Sequence, residues 1–449
     1  MQEKKYLSFP KKVAYGLGDF GSNFFYMMVT SFMLLYMTNS VGLDPGIAGT
    51  LMMASRILDG ITDVFFGHLI DKTKSKLGKA RPWMFYSGFP LAVCLILLFM
   101  IPVGVSTTTQ YVYFFIVYTL ANAIFYTANN ISYATLSALI TRSDSERVSL
   151  GTFRFIFAII ASVAVTGGTV SLVSSLGANG WRTVAIIYAV VFLAFNTISS
   201  LCSKELPPED TDVREEKKSE KTAFGAALKV VLSNKYYLLA LAIYILMYTS
   251  SGIGTAIGTY YCQYVLGNAS LLGLISMSAF IMIIGLIANP GLVKKFGMYK
   301  VNLISYLITI PVAALLMFFG YRASFIGVLV LTFIRGITTA PLQGSINAII
   351  AEVGQNAYLK KNVHVEGMMF SCTSVGMKVG SGLGTAISGW MLSAAHFVGE
   401  AEQQTEGVLN AIKFTYGAIP LIIVVLITVC LWRMHVVEEN AQLQAAKAE

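Results

Sequence analysis

Charge is what this sequence has least of. Lys, Arg, Asp and Glu make up only 12% of its 449 residues, about half the ~25% of an ordinary soluble chain. Too little polar surface remains to solvate a soluble enzyme of this length, and a 55% hydrophobic content excludes disorder. Histidine is scarce as well. His68, His364, His396 and His435 stand alone in the sequence, so no metal or nucleophile constellation of an enzyme takes shape around them. Paired cysteines are missing: Cys94, Cys202, Cys262, Cys372 and Cys430 are scattered in or beside apolar stretches and read as small packed hydrophobes. No removable signal peptide is expected, because the apolar run behind Lys4, Lys5, Lys11 and Lys12 is too long for a signal core.

What is there instead is apolar length, with a mean hydropathy of +0.67. About 20 apolar residues cross a bilayer. Twelve stretches qualify: 13–40, 45–70, 83–104, 108–138, 149–175, 181–202, 232–264, 268–290, 300–320, 323–351, 364–394 and 408–433. The net charge of +9 sorts by side. Twenty-five of the 32 Lys and Arg fall on one face of this topology, and only Arg182, Arg322 and Lys413 lie on the other. The positive-inside rule then puts both termini and the central loop in the cytoplasm, and nucleic acid is not an expected partner. Lys204–Lys221, with 12 charged residues in 18, is a solvated linker between two sets of six spans. The turns around Gly78 and Gly297 echo each other 219 residues apart. A parallel repeat of six spans is a transporter architecture that rocks about a midplane site. The expected class is therefore an all-α membrane protein of twelve transmembrane helices in a 6+6 arrangement. Its parts are a bundle over 1–203, a charged linker over 204–224, a second bundle over 225–433 and a tail over 434–449.

An ionisable group inside a membrane is costly and persists only when it is paired or lines a polar cavity. The second span carries Arg56, Asp59 and Asp63, whose i, i+3, i+7 spacing sets them on one helical face. Two carboxylates one turn apart repel, so one holds a proton unless a cation sits between them. The pair is either a proton carrier or a Na⁺ site, and Arg56 would hold a carboxylate when the cation is away. A buried ion pair that only fixes helix packing is the structural alternative. Arg154, Arg335 and Lys378 are also within spans, and Arg335 has no evident partner in the sequence. Lys378 sits among Gly376, Gly380, Gly382 and Gly384, small residues that allow close helix approach. In the fourth span Thr127, Asn129 and Asn130 interrupt an apolar helix beside Tyr126 and Tyr133. Asp19, Ser22, Asn23 and Tyr26 form a similar set in the first. Amides, hydroxyls and aromatic rings suit sugars, and amide-lined helix contacts are the alternative. The basic loop from Asp71 to Pro82 reads as a cytoplasmic gate hinge involving Asp71 and Arg81, or as a polybasic patch facing lipid.

Ordered motifs then emerge: Tyr15-Gly16-Leu17-Gly18-Asp19, Arg56-Ile57-Leu58-Asp59-Gly60-Ile61-Thr62-Asp63, Gly67 with Asp71, and Gly78-Lys79-Ala80-Arg81-Pro82-Trp83. Asn130-Ile131-Ser132-Tyr133, Arg147 with Arg154, Glu366-Gly367 and Lys378-Val379-Gly380-Ser381 come after them. In this order the chain resembles the glycoside–pentoside–hexuronide:cation symporter family of the major facilitator superfamily, over nearly its whole length. The resemblance implies cation coupling at Asp59 and Asp63, with Thr62 and Thr127 lining the cation site. It also implies sugar contact by Arg154 and linkage of the two sites through Lys378. Members that carry melibiose have aspartates where this chain has Asn23 and Asn130. The setting of Asn130, Asn-Ile-Ser-Tyr, is similar to the Asn-Ile-Pro-Tyr of the glucuronide and xyloside branch, although Ser132 replaces that branch's proline. The family's Asp-x-x-Asp-Tyr pattern after the tenth span is Glu352, Gln355 and Asn356 here, and its following arginine is His364.

The expected function is symport of a glycoside (a glucuronide, pentoside or related oligosaccharide) with Na⁺ or H⁺ across a bacterial-type plasma membrane. The expected substrate contacts are Asn23, Tyr26, Tyr126, Asn130, Arg154 and Lys378. The coupling and gating residues are Arg56, Asp71, Arg81 and Lys378, and any metal ion, Na⁺, would sit at Asp59 and Asp63. The partners are sugar, a monovalent cation and membrane lipid, with no cofactor, and the chain is expected to be a monomer. A carrier of lipid or drug, and a sugar sensor that does not transport, are the alternatives.

Overall fold

The computed structural model describes residues 6–207, 229–361, 371–399, 401 and 403–448. All regular structure among these residues is helical. The first half forms α1 (Phe9–Asn39), α2 (Pro45–Lys72), α3 (Arg81–Leu98), α4 (Thr107–Leu139), α5 (Asp144–Ser175) and α6 (Gly180–Cys202). Then come α7 (Lys235–Val265), α8 (Leu271–Phe296), α9 (Met298–Tyr321), α10 (Phe325–Lys361) and α11 (Ser371–Ala394). In α12, Glu406–Lys413 runs through a π turn at Phe414–Ala418 into Ile419–Trp432, and α13 (Val436–Ala448) comes last.

Each of the twelve expected stretches thus holds a helix among its described residues, although the third helix ends at Leu98, short of the expected 104, and the eighth starts at Leu271 rather than 268. Among the described residues ten helices are long and apolar enough to cross a membrane, and α2 and α11 are not among them. Length is not what they lack: 28 and 24 residues rise ~42 and ~36 Å at 1.5 Å per residue, against a hydrocarbon core of about 30 Å. Their polarity comes from Arg56, Asp59 and Asp63 in one and from Lys378 among serines, threonines and glycines in the other. The tenth helix runs past its expected end at 351 to Lys361, with Lys360 and Lys361 complementing the dipole of its last turn. Residues 208–224 of the charged linker, 225–228 at the start of the second bundle, and His364 and Glu366 lie outside the described residues.

Local signals set the helix starts. Asp44 caps α2 by accepting from the Ile47 N–H at 2.9 Å, with Pro45 at the first position. Ser106 and Ser143 cap α4 and α5 in the same way.

The chain divides into two compact units. One comprises Met1–Val213, Gly258–Ser276 and Ala386–Val408, and the other Arg214–Ile257, Met277–Thr385 and Leu409–Glu449. In the first unit, α1 packs on α5 and α6, and the ends of α7 and α11 join it through polar bonds. The Thr38 and Tyr260 hydroxyls are 2.8 Å apart, and Asn39 donates to Tyr264 at 2.5 Å. Ser393 donates to Asp44 at 2.7 Å and Trp390 to Thr50 at 2.9 Å.

In the second unit the tail helix is seated by the residues that depart from the family pattern. Asn440 donates to the Glu352 carbonyl and carboxylate at 2.9 Å and accepts from Asn356 at 2.9 Å. Glu439 next to it pairs with Lys235 at 3.2 Å and with Lys360, and accepts from Tyr236. Burial works against its charge, but the bonds from Lys360, Tyr236 and Lys235 outweigh burial and hold the carboxyl down at about 2. The same unit seats α11 on α7 through its glycines. A Cβ on Gly380 would lie 2.5 Å from the Ile245 carbonyl oxygen, and one on Gly384 2.4 Å from that of Thr249. Gly380→Val therefore pushes the two helices apart, at a cost of about 1–3 kcal/mol. Gly254→Ala, where a Cβ meets nothing within 4 Å, is neutral or gains up to ~1 kcal/mol. Melting of detergent-solubilised protein separates the two variants, and equal melting temperatures would contradict this seating.

Candidate functional site

The charged face of α2 is assembled inside the first unit. Asp59 is 2% exposed and Arg56 7%. One Asp59 carboxylate oxygen accepts from the Thr127 hydroxyl, and the other lies 3.8 Å from the Arg56 guanidinium. Thr62 spends its proton on the Asp59 carbonyl at 3.0 Å, which leaves its oxygen lone pairs available. Asp63, partly buried, is one turn farther along. Oxygen groups of this kind, two carboxylates and two hydroxyls, suit a hard cation or a proton. Among the described residues no group of three or more His, Cys, Asp or Glu gathers to hold a metal ion.

Thr127 reaches Asp59 because α4 is not a regular helix. Leu120–Tyr126 is a π segment, and the Thr127 hydroxyl lies 3.0 Å from the Asn122 carbonyl oxygen five residues back. Such a wide turn shifts the register of the residues C-terminal to it and recurs at functional sites. The aromatic wall is continuous here. The Arg56 guanidinium lies 5.7 Å over the Tyr26 ring, Tyr26 stacks on Tyr126 at 6.0 Å, and Tyr126 stacks on Phe25 at 5.3 Å.

A second charged pair lies in the same unit. Arg154 on α5 binds Asp19 on α1 at 2.5 Å, and its guanidinium lies 4.4 Å over the Tyr133 ring. Tyr133 donates to the Tyr15 carbonyl at 2.7 Å while Tyr15 donates to that of Tyr133 at 2.9 Å, which locks α1 to α4. Asn23 donates to the Asp19 carbonyl at 2.8 Å. Asn130 is exposed and makes no side-chain hydrogen bond to the described residues. Its neighbour Asn129 is buried and has a packing role, donating to the Met84 carbonyl, Ser87 and Asn196 at 2.8–3.1 Å. The two amides of that polar stretch thus have separate roles.

The remaining candidates lie elsewhere. Asp71 is exposed in the last turn of α2. Arg81 ties the start of α3 to the end of α6, donating to the carbonyls of Ser200 at 2.9 Å and Leu201 at 3.1 Å. Glu205 closes that turn by accepting from the backbone N–H groups of Lys79, Ala80 and Arg81 at 2.7–3.0 Å. Lys378 is partly buried on α11 and belongs to the second unit. Asp19 and Arg154 stand out separately in the sequence, and only the structure brings them together as a pair. Two charges on separate spans, 135 residues apart, carry no spacing signal, although the scarcity of in-span acids made Asp19 a natural partner.

A family model described as MFS/sugar transport protein matches residues 14–438. The isoprimeverose transporter of Lactiplantibacillus pentosus is 26% identical over 426 residues, covering 93% of this chain and 87% of its own. The inner membrane symporter YicJ of Escherichia coli K12 is 26% identical over 431 residues, covering 93% and 89%. Among solved structures, the fold matches a bacterial homologue of the human lysosomal transporter Spinster with a TM-score of 0.69 at 15% identity, over 97% of this chain and 99% of that one.

The Asp19–Arg154 bond is part-buried, so removing either partner costs about 1–3 kcal/mol. Asp19→Asn and Arg154→Gln should each lower the melting temperature of the solubilised protein, and the double variant should recover part of the loss. Strictly additive losses would show that the two residues do not act as a pair.

Proposed function

Because the chain belongs to the MFS/sugar transport protein family, and is a multi-pass membrane transporter rather than an enzyme, we propose that it carries a glycoside together with Na⁺ or H⁺ by alternating access. The observation that supports this best is the buried Asp59 carboxylate, held between Arg56 and the Thr127 hydroxyl with Asp63 one turn away. In this reading the cation or proton binds at Asp59 and Asp63, with Thr62 and Thr127 supplying further oxygens. With the cation absent, Arg56 compensates Asp59. A bound cation takes over that compensation and frees Arg56 to donate from the face of Tyr26 toward the sugar. Asn23, Tyr26, Tyr126, Asn130, Arg154 and Lys378 form the proposed sugar contacts. Asn130 and Tyr126 offer the amide and the ring that a pyranose needs. Both termini are proposed to be cytoplasmic, with Asp71 and Arg81 at the gate and the chain acting as a monomer. During the cycle the bonds that tie Thr38, Asn39 and Asp44 to the ends of α7 and α11 part.

Cation and sugar then raise each other's affinity by the same factor, about 5–150-fold for a coupling of ~1–3 kcal/mol. The test is uptake of a radiolabelled β-glycoside into proteoliposomes, with and without a Na⁺ gradient, at two pH values. The wild type should accumulate sugar above the outside concentration under one of the two gradients. Asp59→Asn and Asp63→Asn should lose accumulation while still equilibrating sugar down its gradient. Undiminished uphill uptake in either variant would remove the cation from these carboxylates.

A further inference from the structure

Three arginines lie inside the spans, and two of them are answered by carboxylates: Arg56 by Asp59 at 3.8 Å and Arg154 by Asp19 at 2.5 Å. The third is different. Arg335 lies ten residues into α10, about 15 Å along the helix axis. Its guanidinium donates to the Ser250 hydroxyl at 2.7 Å. No carboxylate among the described residues pairs with it, and the ionisable groups that face it are the phenols of Tyr306 and Tyr416. An uncompensated guanidinium at this depth is expensive unless something anionic offsets it.

The remaining N–H groups of Arg335 are not sealed in protein, since none is a buried donor without a partner. They reach a cavity of about 280 Å³ that lies wholly within the second unit. Tyr248 and Ser251 on α7, Tyr306 on α9, and Thr339 and Gln343 on α10 supply its other polar groups. Thr339 and Gln343 come after Arg335 at i+4 and i+8, so one stripe of α10 presents a guanidinium, a hydroxyl and an amide in succession. A guanidinium offers parallel N–H donors whose spacing matches the two oxygens of a carboxylate. The hydroxyls and the amide suit a ligand that carries hydroxyls of its own. At the lower edge of the ~300–1,000 Å³ of ordinary ligand pockets, the space suits a single sugar-sized molecule.

We propose that this cavity, lined wholly by the second unit, is an anion-binding site that takes a small polyhydroxylated monocarboxylate, a sugar acid, with its carboxylate on Arg335. The oxyanion supplies the countercharge that the chain gives its other two in-span arginines in the form of aspartates. The ring or chain hydroxyls bond to Ser251, Thr339 and Gln343. The site stands on the second unit alone and does not depend on the coupling assigned to Asp59.

The experiment is ligand binding to the purified full chain, by isothermal calorimetry and by thermal shift, with glucuronate, glucose and inorganic phosphate. Glucuronate should bind saturably and stabilise the wild type, with glucose and phosphate at least tenfold weaker. Arg335→Gln should weaken glucuronate at least tenfold and Arg335→Lys by less, since one ammonium keeps the charge and loses the fork. Calorimetry in Na⁺-free buffer at a single pH reads this binding without any transport, so a failure of the transport reading leaves this result standing. Gln343→Ala, which keeps every charge, should weaken binding severalfold and serves if the arginine variants do not fold. Equal binding of glucuronate and glucose by the wild type would overturn the proposal. So would phosphate binding as tight as glucuronate, or unchanged glucuronate affinity in Arg335→Gln or Gln343→Ala.

Discussion

The Asp59 carboxylate, buried against Arg56 and the Thr127 hydroxyl, is the interaction from which the rest of the structure is best understood. A charge placed at this depth demands an answer from the surrounding helices. Arg56 gives one at 3.8 Å, longer than a close charged hydrogen bond. The π turn of α4 aims Thr127 at the carboxylate, and the guanidinium lies over the ring of Tyr26, which stacks on Tyr126. A second carboxylate, Asp63, lies one turn on along the same face. The proposed exchange of Arg56 for a cation acts on this face.

The same rule sorts the other in-span charges. Arg154 and Asp19 answer each other fully at 2.5 Å, with the guanidinium also resting on the Tyr133 ring. That pair braces α1 against α5 beside the reciprocal Tyr15 and Tyr133 bonds. Arg335 donates to a serine, meets no carboxylate among the described residues and opens onto a cavity.

Much of the architecture was legible in the sequence because a bilayer permits few solutions. Every spanning backbone must bond to itself, so long apolar runs become helices, and Arg56, Asp59 and Asp63 fall on one face by period alone. The glycines around Lys378 signalled a close helix approach, which the seating of Gly380 and Gly384 on α7 displays. The features that stayed hidden depend on three dimensions. The Asp19–Arg154 bond joins spans far apart in the chain. The π turn before Thr127 has no composition of its own, so the regular period could not place that hydroxyl on Asp59. Asn129 and Asn130 look alike in sequence, yet one is spent on packing between α3, α4 and α6 while the other stays exposed. Glu352 and Asn356 departed from a family pattern, and only the docking of α13 shows that they hold the tail helix.

The central claim, that Asp59 carries the coupling cation, is tested most directly by sugar-evoked charge movement in protein-loaded liposomes on a solid-supported membrane. A neutral β-glycoside bears no charge of its own, so any current it evokes reports the co-transported cation. The account predicts a positive inward charge movement in the wild type and its loss in Asp59→Asn, with sugar binding still detectable in the variant. A current of equal size in Asp59→Asn would contradict it.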